Sequence, residues 1–351
     1  MSRSYNIIKS LLPRYDVALA CPTLSQPDAQ DLPIRVHQLA RPGKAQFVSP
    51  LFVRKLRTVI KREAPDVILA SFVWTVPAVW LARAPKKISL YVDTQNVETE
   101  RIRGAGARWW RLAALFERLA TRLADRVWVV SKEDGELLAR LGMPGHKAVL
   151  VPNGYDDELF SPDADAGRTM RDSLNISPHE RMLLYFGHMG YAPNQEALSV
   201  LHRNVLPIFD KQGINYRLVV AGRNSLELGQ RYAHPRMMFT GVIDRIQDAI
   251  NAADAVVVPL LHGGGTRLKI IESVACGTPV VSTTAGAAGL DKGPFGDLLA
   301  IADEWEQFAC ATSALATRPR EPRAVPAGFR EQYAWRWIIQ RLEQDAINGA
   351  H

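Results

Sequence analysis

PLLHGGGTRLKIIESVACGTPVVST, residues 259–283, is the stretch of sequence that decides the fold. It begins inside the apolar run 255–260 and passes through three glycines into an apolar helical pattern at 267–276. A second apolar run follows at 279–283. Such a succession makes up a βα unit of a parallel sheet. The glycines allow backbone N–H groups to approach a ligand closely, and the helix N-terminus beyond them favours an anion such as a diphosphate.

The same alternation of short apolar runs and longer helical patterns continues along the whole chain. Candidate strands lie at 16–21, 66–71, 88–93, 127–130, 148–151, 182–187, 216–222, 238–241, 255–260 and 279–283. Helical patterns lie near 46–63, 98–124, 133–141, 193–210, 244–252, 267–276 and 302–316. This order predicts an α/β fold of two doubly wound, Rossmann-like domains that face each other across a cleft. Ligands of such sheets bind at the carboxyl ends of the strands.

The segment 152–180 is rich in Asp, Pro, Gly and Ser and is interpreted as a linker. We therefore expect a first domain at 1–152, a second at 153–325, and a C-terminal helix at 326–351 that packs back toward the first domain. The first candidate strand begins only at residue 16, after the helical pattern SYNIIKSLL. Because a doubly wound domain ordinarily opens with a strand, the first strand of the N-terminal domain is expected to be missing.

The composition excludes several classes of protein. With 351 residues, 47% hydrophobic and 23% charged, the chain is neither disordered nor collagen-like and is long enough for two cores. Its three cysteines are far apart, which argues against a disulfide scaffold or a structural zinc site. No apolar run reaches the roughly 18 residues of a membrane span, and the first residues form no signal peptide. A cytoplasmic protein is therefore expected.

Positive charge is concentrated in the first half of the chain. Residues 1–152 hold 24 Lys and Arg against 13 Asp and Glu, a net charge of +11, whereas the whole chain carries +7. No recognisable nucleic-acid module accompanies this charge. The expected partner is therefore an anionic membrane surface or lipid-linked substrate, and not a nucleic acid.

The segment 101–126 holds seven arginines and a tryptophan pair. The helical spacing of its larger apolar residues predicts one buried stripe, formed by Leu112, Leu115, Phe116, Leu119 and Leu123. Arginines and indoles elsewhere on the helix suit a bilayer surface on the acceptor side, a role that we assign to Arg108, Trp109, Trp110 and Arg111. The alternative is a solvated basic face on a core helix.

Side chains after the glycine triplet are suited to binding a nucleotide. Thr266 is a candidate N-cap, and Arg267 and Lys269 add positive charge in the first turns of the helix. Glu272 follows, where its carboxylate can accept hydrogen bonds from two hydroxyl groups. The alternative is an ordinary loop, a capped helix and a buried strand, which a glycine triplet alone would favour.

The whole phrase resembles the donor-binding signature of retaining family-4 glycosyltransferases, which have the two-domain GT-B fold. Residues that match its A-x-G-x-P-V-V part, or the subgroup pattern G-x-G-T-R-x-K-x-x-E, are Gly263, Gly265, Thr266, Arg267, Lys269, Glu272, Ala275, Gly277, Pro279, Val280 and Val281. Gly264 departs from the family, because it stands where a first glutamate is usual. Further phrases resemble the family in the same order, namely VSKEDGELL (130–138), VPNGYDDELFSP (151–162), FGHMGYAPNQEAL (186–198), FTGVID (239–244) and FREQYAWRW (329–337).

The resemblance implies a donor site for a nucleotide-diphosphate sugar in the second domain. Glu272 would hold the ribose hydroxyls. Arg267 and Lys269, with backbone amides near Gly265 and Thr266, would neutralise the diphosphate. The remaining donor-site positions are Gly187, Asn194, Arg223 and Gly264, and His188 is a candidate catalytic contact. The donor is a co-substrate, and no cofactor or metal is expected because no cluster has metal-ligand spacing.

In the first half, YVDTQNVETER (91–101) resembles the family's D-x-H-N-x-E segment. The resemblance implies that Gln95, Asn96 and Glu98 line the cleft near the transferred sugar. Gln95 replaces the family's histidine and cannot exchange protons, so it is excluded as a base. This fits a retaining transfer in which the donor phosphate takes the acceptor proton. The alternative for each residue is a strand-end cap or turn former.

The resemblance thus implies a metal-independent, retaining glycosyltransferase with an acceptor-side first domain and a donor-binding second domain. Its acceptor would be a saccharide or a lipid-linked molecule in cell-surface polysaccharide biosynthesis, in the cytoplasm or at the inner face of the cytoplasmic membrane. Two alternatives stay open. One is a weak or inactive sugar-nucleotide-binding protein, motivated by the missing strand, Gly264 and Gln95. The other is a GT-B-fold nucleotide-sugar epimerase, which would need acid–base carboxylates, and Glu98 alone is weak support for it.

Overall fold

The computed structural model describes residues 3–21, 32–39, 49–83, 88–104, 106–262, 267–319 and 323–348, the last five of these by their backbone alone. The chain forms two compact units. The first comprises Met1–Asn153 together with Arg341–His351, and the second comprises Gly154–Gln340. Within the described residues, no helix is both long and apolar enough to cross a bilayer.

The first unit contains two parallel sheets. Its strands are β1 (Ala18–Cys21), β2 (Arg35–Gln38), β3 (Val67–Ser71), β4 (Ser89–Asp93), β5 (Arg126–Val129) and β6 (Ala148–Leu150). Strands β1 and β2 pair with each other, and the other four form a sheet in the order β3-β4-β5-β6. Its helices are α1 (Arg3–Leu11), α2 (Pro50–Glu63), α3 (Val76–Arg83), α4 (Glu98–Gly104), α5 (Trp110–Leu123) and α6 (Lys132–Arg140). Among the described strands of this unit, β1, β2, β3 and β6 each have a strand partner on one edge only.

The second unit is one six-stranded parallel sheet with helices along the chain between the strands. Its strands are β7 (Arg181–Phe186), β8 (Tyr216–Ala221), β9 (Met237–Gly241), β10 (Ala255–Val258), β11 (Val280–Ser282) and β12 (Leu299–Ile301). Its helices are α7 (Ala164–Ser173), α8 (Ala192–Val200), α9 (Leu206–Lys211), α10 (Ser225–Leu228), α11 (Ile246–Ala252), α12 (Leu268–Ala275), α13 (Trp305–Ala316), α14 (Phe329–Tyr333) and α15 (Trp335–Asn348). The last of these continues into the residues that group with the first unit. The apolar strands are buried because helices cover both faces of such a sheet.

The strand order of the second unit fixes where a ligand can bind. The order is β12-β11-β10-β7-β8-β9, so the chain reverses its direction of sheet growth between β7 and β10. The loop after β7 and the loop after β10 therefore run to opposite sides of the sheet, which leaves a crevice at the carboxyl ends of these two strands. The segments that follow β7 and β10 therefore form the candidate site.

The structure corrects the linker interpretation of 152–180. Helix α7 lies within this segment and packs against α11. Asp163 caps the helix by accepting a hydrogen bond from the N–H of Ala166 at 2.9 Å. The small size of Gly167 allows the backbone of Asn251 to approach, since a Cβ there would lie 2.7 Å from the Asn251 carbonyl oxygen. The Asp- and Gly-rich composition thus signals a helix cap and a close helix contact as well as a turn.

The predicted buried leucine stripe of α5 is also wrong. Leu112, Leu115 and Leu119 are 66%, 63% and 48% exposed, while Phe116 and Leu123 are half-buried. The buried face instead carries small residues and one carboxylate, namely Ala113, Glu117, Ala120 and Thr121. The helix turns this way because the carboxylate of Glu117 accepts hydrogen bonds from the first N–H groups of α4, and alanines allow close packing. In addition, the helix predicted at 98–124 is two helices, α4 and α5.

Candidate functional site

The candidate site contains two glycines at which the backbone lies very close to neighbouring atoms. Gly187 follows β7, and a Cβ there would lie 3.1 Å from Asn194 Nδ2 and 3.4 Å from Lys269 Nζ. Gly222 follows β8 with φ of +124°, and a Cβ there would overlap the carbonyl oxygen of Gly187. Both positions therefore require glycine, which leaves the ends of β7 and β8 accessible to a ligand.

Lys269 supplies a desolvated positive charge at this edge. Its Nζ donates to Asn194 Oδ1 at 3.3 Å and lies 5.0 Å from the ring centroid of Tyr185. Asn194 is fixed in turn, because its Nδ2 donates to the carbonyl oxygen of His188 at 2.9 Å. Burial, with a smaller contribution from Arg267, lowers the pKa of Lys269 to about 8. An ammonium group that is short of water in this way is stabilised when an anion binds beside it.

Glu272 lies one turn further along α12 and supplies an acceptor. Burial raises the pKa of its carboxyl group to about 7, against the opposing effect of Lys269. In the part of the chain that the structure describes, no group donates a hydrogen bond to this carboxylate. As far as the described residues go, the carboxylate thus has acceptor capacity for the hydroxyl groups of a ligand.

Arg267 stabilises the neighbouring loop. It is 7% exposed, and its Nη2 donates to the carbonyl oxygen of Ala285 at 2.7 Å. Burial lowers the pKa of Arg267. The other predicted members of this loop, Gly264, Gly265 and Thr266, lie outside the described residues.

His188, the candidate catalytic contact, and Arg223, a donor-site candidate, are exposed at the same edge of the sheet. The loops that carry them are tied together, since the N–H of Met189 donates to the carbonyl oxygen of Arg223 at 2.9 Å. His262 pairs with Glu196 of α8 at 3.2 Å. No pattern in the sequence indicates this contact.

In the first unit, the candidate residues cluster after β4. Glu98 is paired with Arg101 at 2.6 Å and accepts a hydrogen bond from Trp74 Nε1 at 3.3 Å. Gln95 has φ of +55°, and its Nε2 donates to Ser4 Oγ at 3.4 Å, while Asn96 is half-buried beside it. The carboxylate of Glu98 is thus neutralised and held in place, which suits a positioning group better than a proton acceptor.

Sequence reasoning missed Arg3, which organises this cluster. Its Nε donates to both carboxylate oxygens of Asp93, at 2.9 and 3.0 Å, and Asp93 is fully buried. The Arg3 guanidinium also donates to the carbonyl oxygens of Val151 and Pro152 and to Asn153 Oδ1. The only signal in the sequence is the phrase RSYN at 3–6, and it does not reveal a partner 90 residues away.

The described residues contain no group of three or more His, Cys, Asp or Glu side chains arranged to hold a metal ion. Asp163, the first residue of a D-x-D pattern, is used as the cap of α7.

Each of the two units is similar to a known protein family. Residues 3–154 match the family described as glycosyl transferase 4-like domain, and residues 180–318 match glycosyl transferases group 1. The chain carries a glycosyl transferase 4-like domain followed by a glycosyl transferases group 1 domain.

Curated relatives include a D-inositol 3-phosphate glycosyltransferase from Saccharomonospora viridis, 30% identical over 66% of this chain and 57% of the relative. Another is an MMP alpha-(1->4)-mannosyltransferase from Mycolicibacterium hassiacum, 24% identical over 67% and 58%. The chain thus spans somewhat under two thirds of the length of the curated relatives that it matches.

Solved structures extend the similarity to the whole fold. HepE from Anabaena, crystallised with UDP and glucose, superposes with a TM-score of 0.72 at 16% identity and covers 99% of this chain and 96% of its own. Sucrose-phosphate synthase from Thermosynechococcus elongatus gives a TM-score of 0.74 at 20% identity, covering 98% and 92%. These likenesses confirm the predicted α/β fold of the GT-B type.

Proposed function

We propose that this protein transfers a sugar from a nucleotide-diphosphate sugar to a saccharide or lipid-linked acceptor. The observation that carries the proposal is the pairing of Lys269 and Glu272 on one helix at the switch point of the donor domain. One supplies a poorly solvated cation, and the other supplies a desolvated carboxylate to which no described group donates a hydrogen bond. A nucleotide-diphosphate sugar presents the complementary groups, a diphosphate and a pair of ribose hydroxyls. Support for this donor class comes from HepE, which was also crystallised with UDP-glucose.

In the proposed mechanism, Lys269 stabilises the charge that develops on the leaving diphosphate, where Asn194 holds its Nζ. The exposed Arg223 assists it, and the proposed reaction relies on these side-chain cations and not on a metal. Glu272 orients the nucleotide through its ribose. Lys269 and Arg223 stabilise negative charge that is greater in the transition state than in the bound donor, and so these two cations act on the rate as well as on affinity.

Transfer with retention is proposed because neither of the two candidate groups of the first unit, Gln95 and Glu98, is a free base. Gln95 cannot accept a proton, and Glu98 is engaged by Arg101 and Trp74. The departing donor phosphate is then the group that takes the acceptor proton, on the face from which it leaves. The same observation also favours the second candidate function, a protein that binds a sugar nucleotide without transferring it. It weighs against an epimerase, which needs free acid–base carboxylates.

The acceptor is proposed to belong to cell-surface polysaccharide assembly on the cytoplasmic side of the membrane. The positive charge of the first domain supports an anionic acceptor or acceptor carrier.

The test is a panel of nucleotide sugars, with hydrolysis and transfer measured for the wild type, Glu272→Ala and the matched control Glu306→Ala. Glu306 is an exposed glutamate on α13. We expect one donor to be turned over, Glu272→Ala to lose about 10²-fold in kcat/KM, and Glu306→Ala to match the wild type. Donor binding without turnover would favour the binding protein. Equal activity of Glu272→Ala and wild type would refute the donor site.

A further inference from the structure

The outward face of α5 is unusual for a protein surface. Leu112, Leu115 and Leu119 follow one another at i, i+3 and i+7 and are all at least 48% exposed. Trp109, just before the helix, is 52% exposed. Single exposed leucines are ordinary, but a continuous stripe along one helix indicates an interaction surface. We call these four residues the apolar stripe.

The helix that packs against α5 also exposes apolar side chains. Helices α3 and α5 pack against each other, and α3 exposes Trp80 and Leu81 at 40% and 49%. The stripe does not result from a poorly packed α5, because the opposite side of the helix is fully buried around Glu117. Exposed apolar side chains therefore lie on two helices that pack against each other, and α5 has a buried face that holds it in place.

Arginines run beside the apolar stripe. Arg111, Arg118 and Arg122 repeat at i, i+7 and i+11, so they share one side of the helix, and Arg108 lies just before it. All four are exposed. Within the described part of the chain, none of them forms an ion pair with a carboxylate, whereas Arg101 and Arg103 do. Arg111 instead lies over the ring of Trp110 at 5.4 Å.

We propose that α5 is a membrane-binding helix that lies in the plane of an anionic lipid bilayer, with the apolar stripe inserted and the arginines at the headgroups. A helix that lies at a membrane interface has this combination of an apolar face, flanking arginines and a tryptophan. A second copy of the chain is the poorer occupant, because a two-fold contact through this face would place the same unpaired arginines opposite one another. The proposal is independent of the proposed donor chemistry.

The experiment is flotation of the full-length protein with phosphatidylglycerol–phosphatidylcholine vesicles, compared with pure phosphatidylcholine vesicles, at low and high salt. We expect binding to the anionic vesicles that weakens with salt. Leu115→Ser should weaken partitioning about tenfold, and Arg118→Gln about fivefold. Matched controls are Leu226→Ser, at a leucine 62% exposed in the second unit, and Arg140→Gln on α6. Both should bind like the wild type.

Three results would overturn the proposal. The first is no binding to anionic vesicles at low salt. The second is binding that Leu115→Ser and Arg118→Gln leave unchanged, because the contact would then lie elsewhere. The third is a wild-type dimer in sedimentation velocity that Leu115→Ser converts to a monomer, which would identify a second copy as the occupant. Because both substituted side chains are exposed, thermal unfolding is expected to match that of the wild type and serves as the folding control.

Discussion

Donor affinity should have a narrow optimum in pH, because Glu272 and Lys269 titrate near neutrality. The pKa of Glu272 is raised to about 7, so its ionised form is lost as pH falls through that value. The pKa of Lys269 is lowered to about 8, so its charged form is lost as pH rises through that value. Both groups carry charge in about 60% of molecules at pH 7.5, but in only about 10% at pH 6 or pH 9.

Affinity for a nucleotide-diphosphate sugar is therefore expected to be about sixfold weaker at pH 6 and at pH 9 than at pH 7.5. Each of the two phosphates of such a donor has one ester bond, one anhydride bond and a single strongly acidic oxygen, so the charge of the diphosphate is constant over this range. The measurement is isothermal titration calorimetry between pH 5.5 and 9.5. Glu272→Gln should remove the acidic limb of the profile and Lys269→Met the alkaline limb. A flat wild-type profile, or limbs that survive in both variants, would refute the assignment.

Three further predictions concern the framework. Glu117→Ala leaves two N–H groups and a hydroxyl of the α4 cap without their acceptor and should destabilise the first unit by about 3 kcal/mol in urea unfolding, with Glu117→Gln milder. Arg3→Met leaves the buried carboxylate of Asp93 without this ion-pair partner and should lower the free energy of unfolding by about 3–5 kcal/mol in the same assay. A decrease of less than about 1 kcal/mol would contradict the geometry. Gly222→Ala should cost about 3 kcal/mol and abolish donor binding, whereas Gly213→Ala, in open space at positive φ, should cost about 1 kcal/mol and leave binding intact.

The sequence predicts the donor domain well because its strands are buried on both faces. Such strands are unbroken apolar runs, and MLLYFG at 182–187 and AVVVPL at 255–260 coincide with β7 and β10 within two residues at each end. By contrast, β2 is RVHQ, a short strand with two polar ends, and has no such signal. The polar cap of α7 hides that helix for a related reason, since capping residues and linker residues are the same types.

The orientation of α5 shows the limit of periodicity. Its leucines and its alanines both repeat at helical spacing, and hydrophobicity alone selects the leucines as the buried face. The decision rests on Glu117, whose hydrogen bonds to α4 are long-range contacts that no local pattern contains. Lys269 and Glu272 were accessible to sequence reasoning because both lie in one continuous motif. Arg3 was not, because its partner Asp93 is distant in the chain.

The most direct test of the donor site asks whether Glu272 holds the ribose. Calorimetry would compare the nucleoside diphosphate that the panel identifies with its 2′,3′-dideoxy analogue, for the wild type and Glu272→Ala. Hydrogen bonds to a charged group contribute about 1.5–3 kcal/mol, so the wild type should bind the analogue at least about tenfold more weakly. Glu272→Ala should bind both ligands equally. An equal loss of affinity for the analogue in both proteins would contradict the account, because the ribose would then be bound elsewhere.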